Sequence, residues 1–108
     1  MEVGFKVWLK ENDKKVFGKG PKELLLKIEE LGSIRQASID MGMSYSKAWK
    51  LVANLEETLN IKILEKTIGG SHGGSSLLTE EARKLIKKYE AFEKEAQEKI
   101  KDLYHEIF

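Results

Sequence analysis

Four polar residues recur on one side of a helical stretch in the middle of the chain, where they could bind nucleic acid. At 100° per residue, a helical wheel places them opposite the apolar side of residues 45–59; they are Ser46, Lys47, Lys50 and Asn54. Lysine ammonium groups bind phosphates, and hydroxyl and amide side chains suit base edges in a major groove. The alternative is an ordinary solvated face, which is the usual meaning of such a pattern on an isolated amphipathic helix.

Two capped helices with a tight turn between them must position this polar face. Ser33 can cap a predicted helix over 34–41, which Gly42 stops. Ser44 can cap the next helix, which ends at Asn60. The apolar side of that second helix carries Ala48, Leu51, Val52, Leu55 and Leu59. This spacing is typical of a helix-turn-helix, and it favours DNA binding over a solvated face.

A glycine-rich segment over 68–76 follows a predicted strand at 61–64 and precedes Leu77 and Leu78, which could form a short return strand. A phosphate-cradling Walker loop needs a lysine and a serine or threonine at the start of the following helix. No lysine follows these glycines, so that alternative is weak. A plain flexible loop and the tip of a wing stay open. The order of strand, tip, strand and helix favours the wing, whose glycines would let the backbone approach DNA phosphates.

The N-terminal part of the chain predicts a β-hairpin and one more helix. Apolar residues alternate over 3–9, a turn cluster lies at 11–13, and a short strand restarts at 16–17. Helical spacing of leucine and isoleucine then predicts a first helix over 21–31, with Gly32 at its C-terminal cap. This helix would support the helix-turn-helix.

The last helix, predicted over 79–108 with Thr79 as its cap, would be about 45 Å long. The rest of the domain is too small to cover it, and its C-terminal half still carries an apolar stripe. Such a stripe needs a partner, of which a two-fold copy of the chain is the commonest. The alternative is a helix that folds back or frays. The expected dimer-interface residues are Phe92, Ala96, Ile100, Leu103, Tyr104 and Ile107.

Length and composition limit the other classes of protein to which this chain could belong. With 108 residues we expect one domain, divided into a hairpin (1–19), a helix-turn-helix with wing (21–78) and a dimerisation helix (79–108). The chain has no cysteine, and His72 and His105 lie far apart, so we expect no metal site and no cofactor. No acid, base and nucleophile come together, so we expect no enzyme. With no membrane-spanning run and no signal peptide, we expect a cytoplasmic location and no membrane partner.

Three motifs follow one another along the chain: GSIRQASIDMGMSYSKAWKLVANLE, then GGSHGG, then LLT at the start of a helix. In combination they resemble the N-terminal domain of ModE-type molybdate-responsive regulators, winged-helix proteins more loosely related to the LysR-type DNA-binding domain. The resemblance covers roughly residues 20–89. It implies a homodimer that binds operator DNA through the third helix and a wing tip at 69–74. Full-length members bind molybdate in a separate C-terminal domain. Nothing here resembles an oxyanion site, so we expect this chain to bind no small-molecule effector.

The sequence therefore predicts an α+β fold, a winged helix-turn-helix with an N-terminal β-hairpin and a long C-terminal dimerisation helix. We expect a homodimeric, sequence-specific transcriptional regulator that binds a palindromic operator in double-stranded DNA. The net charge of only +1 keeps a second hypothesis open, a protein-interaction module without strong DNA affinity. The residues expected to contact DNA are Ser33, Arg35, Ser44, Tyr45, Ser46, Lys47, Lys50, Asn54, Lys66, Ser71, His72 and Gly73.

Overall fold

The computed structural model describes residues 1–67 and 75–108, and within them helices and strands follow the predicted order. The elements are β1 (Leu9–Glu11), β2 (Lys14–Phe17), α1 (Lys19–Leu31), α2 (Ile34–Asp40), α3 (Tyr45–Leu59), β3 (Leu64–Thr67), β4 (Ser75–Leu78) and α4 (Glu80–Ile107). β1 pairs with β2 and β3 with β4, both antiparallel. This α+β arrangement confirms the predicted winged helix-turn-helix with an N-terminal hairpin and a long last helix.

Three hydroxyl side chains cap helices as the sequence predicts. Ser33 precedes α2, Ser44 precedes α3 and Thr79 precedes α4. Each side-chain oxygen accepts a hydrogen bond from the backbone N–H of the third residue of its helix, at 2.9, 3.1 and 3.1 Å. These bonds satisfy N–H groups that have no partner within the helix. At the other ends, Gly32 (φ 76°) and Asn60 (φ 52°) adopt the left-handed conformation and end α1 and α3.

The N-terminal hairpin is shorter than the alternation over 3–9 predicts. Asn12 and Asp13, with φ values of 51° and 64°, form a two-residue turn whose twist matches that of the flanking strands. β2 ends at Phe17, which lies opposite Leu9, and the chain then enters α1. Within 1–67 and 75–108, the alternating residues before Leu9 consequently pair with no strand, and they lie outside any helix.

Other boundaries differ from the predictions by a few residues. α1 begins at Lys19 rather than at 21, because a proline is tolerated in the first turn, where the N–H groups lack partners. α2 ends at Asp40, one residue early. β3 starts at Leu64 rather than 61, because the N–H of Ile63 is bound by the Glu56 carboxylate at 2.8 Å. The return strand predicted at 77–78 is confirmed, and it is longer.

One hydrophobic core joins the hairpin, the first three helices, the β3–β4 pair and the first half of α4. The rings of Phe17 and Tyr89 meet edge to face in it, 5.2 Å apart at 85°. The Tyr89 hydroxyl donates a hydrogen bond to the carbonyl of Val7 at 2.8 Å, which ties the N-terminal segment to α4. The buried apolar residues are Phe17, Leu24, Leu25, Ile28, Ile34, Ala37, Ala48, Val52, Leu55, Ile63, Leu64, Leu78, Ala82, Ile86 and Tyr89.

The C-terminal half of α4 projects from the rest of the domain. Its buried residues are Ala82, Ile86 and Tyr89, all in the first ten positions of the helix. The described residues have a radius of gyration of 16.5 Å, against about 13 Å for a compact domain of this size. α4 continues as one helix to Ile107, so it does not fold back. None of the helices in 1–67 and 75–108 is sufficiently long and apolar to cross a membrane.

Candidate nucleic-acid interface

α3 presents the expected polar face to solvent. Its apolar side is in the core, where Ala48, Val52 and Leu55 are buried. The opposite side is exposed over two turns and carries Ser46, Lys47, Lys50 and Asn54. The helix is held in this orientation by its cap at Ser44 and by its packing on α2. The face therefore offers cationic groups and short hydrogen-bonding side chains to an external partner, and its contact with DNA stays a prediction.

Arg35 of α2 and Tyr45 of α3 come together at the exposed edge between the two helices. The guanidinium carbon of Arg35 lies 5.0 Å from the centroid of the Tyr45 ring, a cation–π contact. The Tyr45 ring also meets the Trp49 ring edge to face, with centroids 6.3 Å apart. Sequence reasoning named Arg35 and Tyr45 separately but missed their contact, since no local pattern couples residues in different helices across a turn. The stack extends the polar face of α3 towards α2.

The capping serines Ser33 and Ser44 keep capacity for a second hydrogen bond. A hydroxyl has one donor and two acceptor positions, and the cap uses one acceptor. Ser44 is exposed and Ser33 half-buried, so both hydroxyls border the surface beside the polar face. A phosphate oxygen could accept from them while the caps stay in place.

The wing strands are fixed to both neighbouring helices. The Glu56 carboxylate of α3 accepts from the N–H of Ile63, at 2.8 Å. The N–H of Thr79 donates to the carbonyl of Ile63 at 2.9 Å, and the Thr79 hydroxyl donates to the carbonyl of Lys62. β3 and β4 therefore leave the domain from a point that is bonded to α3 and to the start of α4.

Of the four wing residues predicted to contact DNA, only one lies among the residues that the structure describes. Lys66 lies in β3, where its backbone pairs with Ser76. Ser71, His72 and Gly73, which the sequence assigns to the wing tip, lie outside the described residues. The plain loop and the wing tip are thus not distinguished at 68–74. The paired strands on either side are those that a wing requires.

α2 and α3 together carry three cationic side chains and three carboxylates, so a basic surface depends on where these groups lie and not on their sum. Arg35, Lys47 and Lys50 are all exposed there. The nearby carboxylate of Asp40 is engaged by Lys27 of α1, with 2.9 Å between Oδ2 and Nζ. The hydrogen bond to Asp40 and its negative charge raise the pKa of Lys27 above its ordinary value. Lys27 thereby partly offsets the charge of Asp40 at the surface, and Glu57 of α3 is exposed as well.

The apolar stripe predicted for the end of α4 is largely bare. On a helical wheel it continues the face that Ala82, Ile86 and Tyr89 bury in the core. Three of the predicted dimer-interface residues are exposed by half or more: Phe92, Leu103 and Ile107, at 51%, 53% and 65%. The others are half-buried: Ala96, Ile100 and Tyr104. Within 1–67 and 75–108, no group of three or more histidine, aspartate or glutamate side chains could hold a metal ion.

Two capped helices joined at Gly42, with a polar outer face on the second and a strand pair after it, define a winged helix-turn-helix domain. A comparison with known families agrees. The chain belongs to the lysR family of bacterial regulatory helix-turn-helix proteins, whose model matches residues 23–83. That range runs from α1 through α2, α3 and the wing strands into α4.

The chain is also similar to several individual bacterial proteins over about two thirds of its length. It is 34% identical over 71 residues to the transcriptional regulator ModE of Haemophilus influenzae, covering 66% of this chain and 28% of that protein. Over 67 residues it is 34% identical to the DNA-binding transcriptional dual regulator ModE of Escherichia coli K12 (62% and 26%). Over 70 residues it is 37% identical to the molybdenum-pterin-binding protein MopB of Rhodobacter capsulatus (65% and 26%). The chain thus spans about a quarter of the length of these relatives, and the likeness predicted from its motifs is confirmed.

Proposed function

We propose that this protein is a sequence-specific DNA-binding transcriptional regulator in which α3 is the recognition helix and the β3–β4 strands form the wing. The single observation that carries the proposal is the exposed polar face of α3, with Lys47 and Lys50 in the middle of it. Its position after a capped α2 and a turn at Gly42 supports insertion into a major groove. Membership of a family of bacterial regulatory proteins supports the same function.

The active form is a homodimer that pairs through the stripe at the end of α4. The exposed apolar side chains there, Leu103 and Ile107 above all, support this assembly, because monomers rarely leave such a stripe uncovered. A two-fold dimer carries two recognition helices. They would reach half-sites about 34–36 Å apart, or a multiple of that distance, so the operator is an imperfect palindrome.

Selection from a random pool of double-stranded oligonucleotides tests the proposal directly. The purified chain should enrich a palindromic motif over successive rounds, and the Lys47→Ala/Lys50→Ala double variant should not. Lys10→Ala/Lys14→Ala, which also removes two cations but lies in the hairpin, is the control. Enrichment of no sequence by the intact chain would contradict the proposal and would favour the protein-interaction module.

Several relatives are named for molybdenum transport or molybdenum-pterin binding, yet we propose that this chain binds no oxyanion effector. The helix N-termini at Ser33, Ser44 and Thr79 are the natural sites for an anion. At each of them the chain's own hydroxyl already accepts a backbone N–H, which weakens the site. Calorimetric titrations with molybdate, tungstate and sulfate should give no saturable heat. Micromolar binding of molybdate, coupled to a change in operator affinity, would contradict this.

A further inference from the structure

Residues 3–8 lie outside any helix, strand or turn and line a groove together with residues of α4. Val3, Phe5 and Val7 alternate with exposed neighbours and are half-buried on the side of the helix. Between this segment, the start of α1 and α4 lies an open groove of about 780 Å³. Ile100 lines the groove and also belongs to the bare stripe of α4. The segment therefore borders the surface that a second copy of the chain would cover.

The backbone of this segment has almost no partner in its own chain. The ladder with β2 stops at Leu9, opposite Phe17. For residues 3–7, the described part of the chain supplies one hydrogen bond, from the Tyr89 hydroxyl to the carbonyl of Val7. An extended run with unpaired N–H and C=O groups and an alternating apolar pattern is a template for another strand.

We propose that residues 2–6 pair antiparallel with the same residues of a second copy, centred on Gly4. This inference rests on the proposed homodimer and specifies a second contact within it. Each β1 would be lengthened towards the N-terminus, and the two hairpins would join in one sheet of order β2–β1–β1–β2. The occupant of this edge is thus the segment's own copy, as an isologous two-fold interface requires.

The pattern of side chains selects the register. Residues directly opposite each other in an antiparallel pair point to the same face of the sheet. A half-buried residue of one copy must therefore lie opposite a half-buried residue of the other copy. Centring on Gly4 sets Val3 opposite Phe5 of the second copy, over the α4 helices. It also sets Glu2 opposite Lys6 on the exposed face, twice per dimer. Centring on Lys6 would oppose two lysines, and centring on Val3 or Phe5 forms no ion pair. Gly4 itself leaves the backbones free to approach at the axis.

Cysteine substitutions test the register, because the chain has no cysteine of its own. The Cα atoms of the two residues at position 4 would be about 4.5–5.5 Å apart, within reach of a disulfide. A Cβ added at Gly4 meets no atom within 4 Å, so Gly4→Cys fits the fold. The matched controls are Glu2→Cys and Lys6→Cys, whose Cα atoms would be about 14 Å from those of the same residue in the second copy. Under mild oxidation, Gly4→Cys should form the disulfide-linked dimer at least tenfold faster than either control.

Sedimentation of the reduced proteins separates this inference from the homodimer itself. If the wild type sediments as a dimer but Gly4→Cys cross-links no faster than the controls, the strand pairing is wrong and the α4 dimer stands. Equal, fast cross-linking of Gly4→Cys, Glu2→Cys and Lys6→Cys would indicate that the two N-terminal segments pair in parallel. That result would also contradict the antiparallel register centred on Gly4. A monomeric wild type at tens of micromolar overturns both proposals.

Exchange of charges gives an independent readout. Glu2→Lys and Lys6→Glu each place like charges opposite one another across the pair. Each should weaken dimerisation by about two- to thirtyfold, because each dimer contains two such pairs. The double variant Glu2→Lys/Lys6→Glu restores opposite charges and should dimerise like the wild type. A double variant as weak as the sum of the single changes would show that Glu2 and Lys6 do not face each other.

Discussion

The guanidinium of Arg35 stacks on the ring of Tyr45, with 5.0 Å from Cζ to the ring centroid. One residue belongs to the first turn of α2 and the other opens α3, so the contact joins the outer edges of the two helices. An arginine held in this way is already partly ordered before it meets a phosphate, which reduces the entropy cost of binding. Part of the proposed DNA surface is therefore set by a contact between helices, not by α3 alone.

The coupling between these two residues can be measured with a double-mutant cycle. Arg35→Ala, Tyr45→Ala and the double variant should give a coupling of about 0.5–1 kcal/mol in the free energy of unfolding, as expected for an exposed cation–π pair. Urea unfolding supplies the four values. Tyr45→Phe keeps the ring and is the control, for which the coupling to Arg35 should persist. Strictly additive single changes would contradict a stabilising stack.

Lys47 and Lys50 should act mainly through phosphates. Each phosphate that an alanine variant no longer neutralises should reduce the slope of log K against log salt concentration by about 0.9. Any interaction of Lys50 with a base would add a loss of about 1–3 kcal/mol at one operator position. Titrations at several salt concentrations check both effects, with Lys10→Ala as the charge-matched control for each single variant and Lys10→Ala/Lys14→Ala for the double variant. Isotherms of the Lys47→Ala/Lys50→Ala variant that match those of the wild type would remove α3 from the interface.

The helix-turn-helix was predictable from sequence because its signals are local. Ser33 and Ser44 cap the starts of α2 and α3 through hydrogen bonds to residues only three positions away. Gly42 adopts a positive φ of 65° between the two helices. The apolar spacing of α3 likewise fixes which side enters the core. Each of these features depends on neighbours in the chain, so a single sequence contains the information.

Features that depend on distant residues were not predictable in the same way. The alternation over 3–9 indicates a strand, but only the point where β2 ends determines that pairing stops at Leu9. The start of β3 depends on Glu56, seven residues before Ile63 in another element. The stack of Arg35 on Tyr45 depends on how α2 and α3 cross. Tertiary contacts determine the end of the β1–β2 pairing, the start of β3 and the contact of Arg35 with Tyr45. The order of residue types along the chain does not specify these contacts.

Thr79 should matter to stability more than its size suggests. It is 3% exposed, and its hydroxyl both caps α4 and donates to the carbonyl of Lys62. Thr79→Val keeps the shape but removes both bonds, so the free energy of unfolding should fall by about 1–3 kcal/mol. Thr79→Ser keeps the hydroxyl and should lose clearly less. A loss for Thr79→Ser as large as that for Thr79→Val in urea unfolding would mean that the methyl group contributes as much as the hydroxyl, which would contradict this prediction.

Tyr89 should make the protein less stable at high pH. Burial, and secondarily the charge of Glu93, raise the pKa of its phenol above the ordinary value of 10.0. The folded chain then keeps a proton that the unfolded chain releases. The stabilising contribution is complete below about pH 10 and is lost as pH rises through the folded pKa. Tyr89→Phe retains the edge contact with Phe17 and lacks this titration. The stability advantage of the wild type over Tyr89→Phe should shrink as the pH rises above the ordinary phenol pKa of 10.0; a constant advantage in urea unfolding would contradict the assignment.

The bare end of α4 should control assembly and, through it, DNA affinity. Leu103 and Ile107 are more than half exposed, so replacing both with aspartate should leave the fold intact. The variant should sediment as a monomer at tens of micromolar, because burying four carboxylates at a two-fold interface is strongly unfavourable. It should bind a single half-site as the wild type does and lose the extra affinity for the palindrome. Ala91→Asp/His105→Asp adds the same number of carboxylates at exposed positions off the stripe and should remain dimeric. A dimeric Leu103→Asp/Ile107→Asp variant would place the interface elsewhere on the chain.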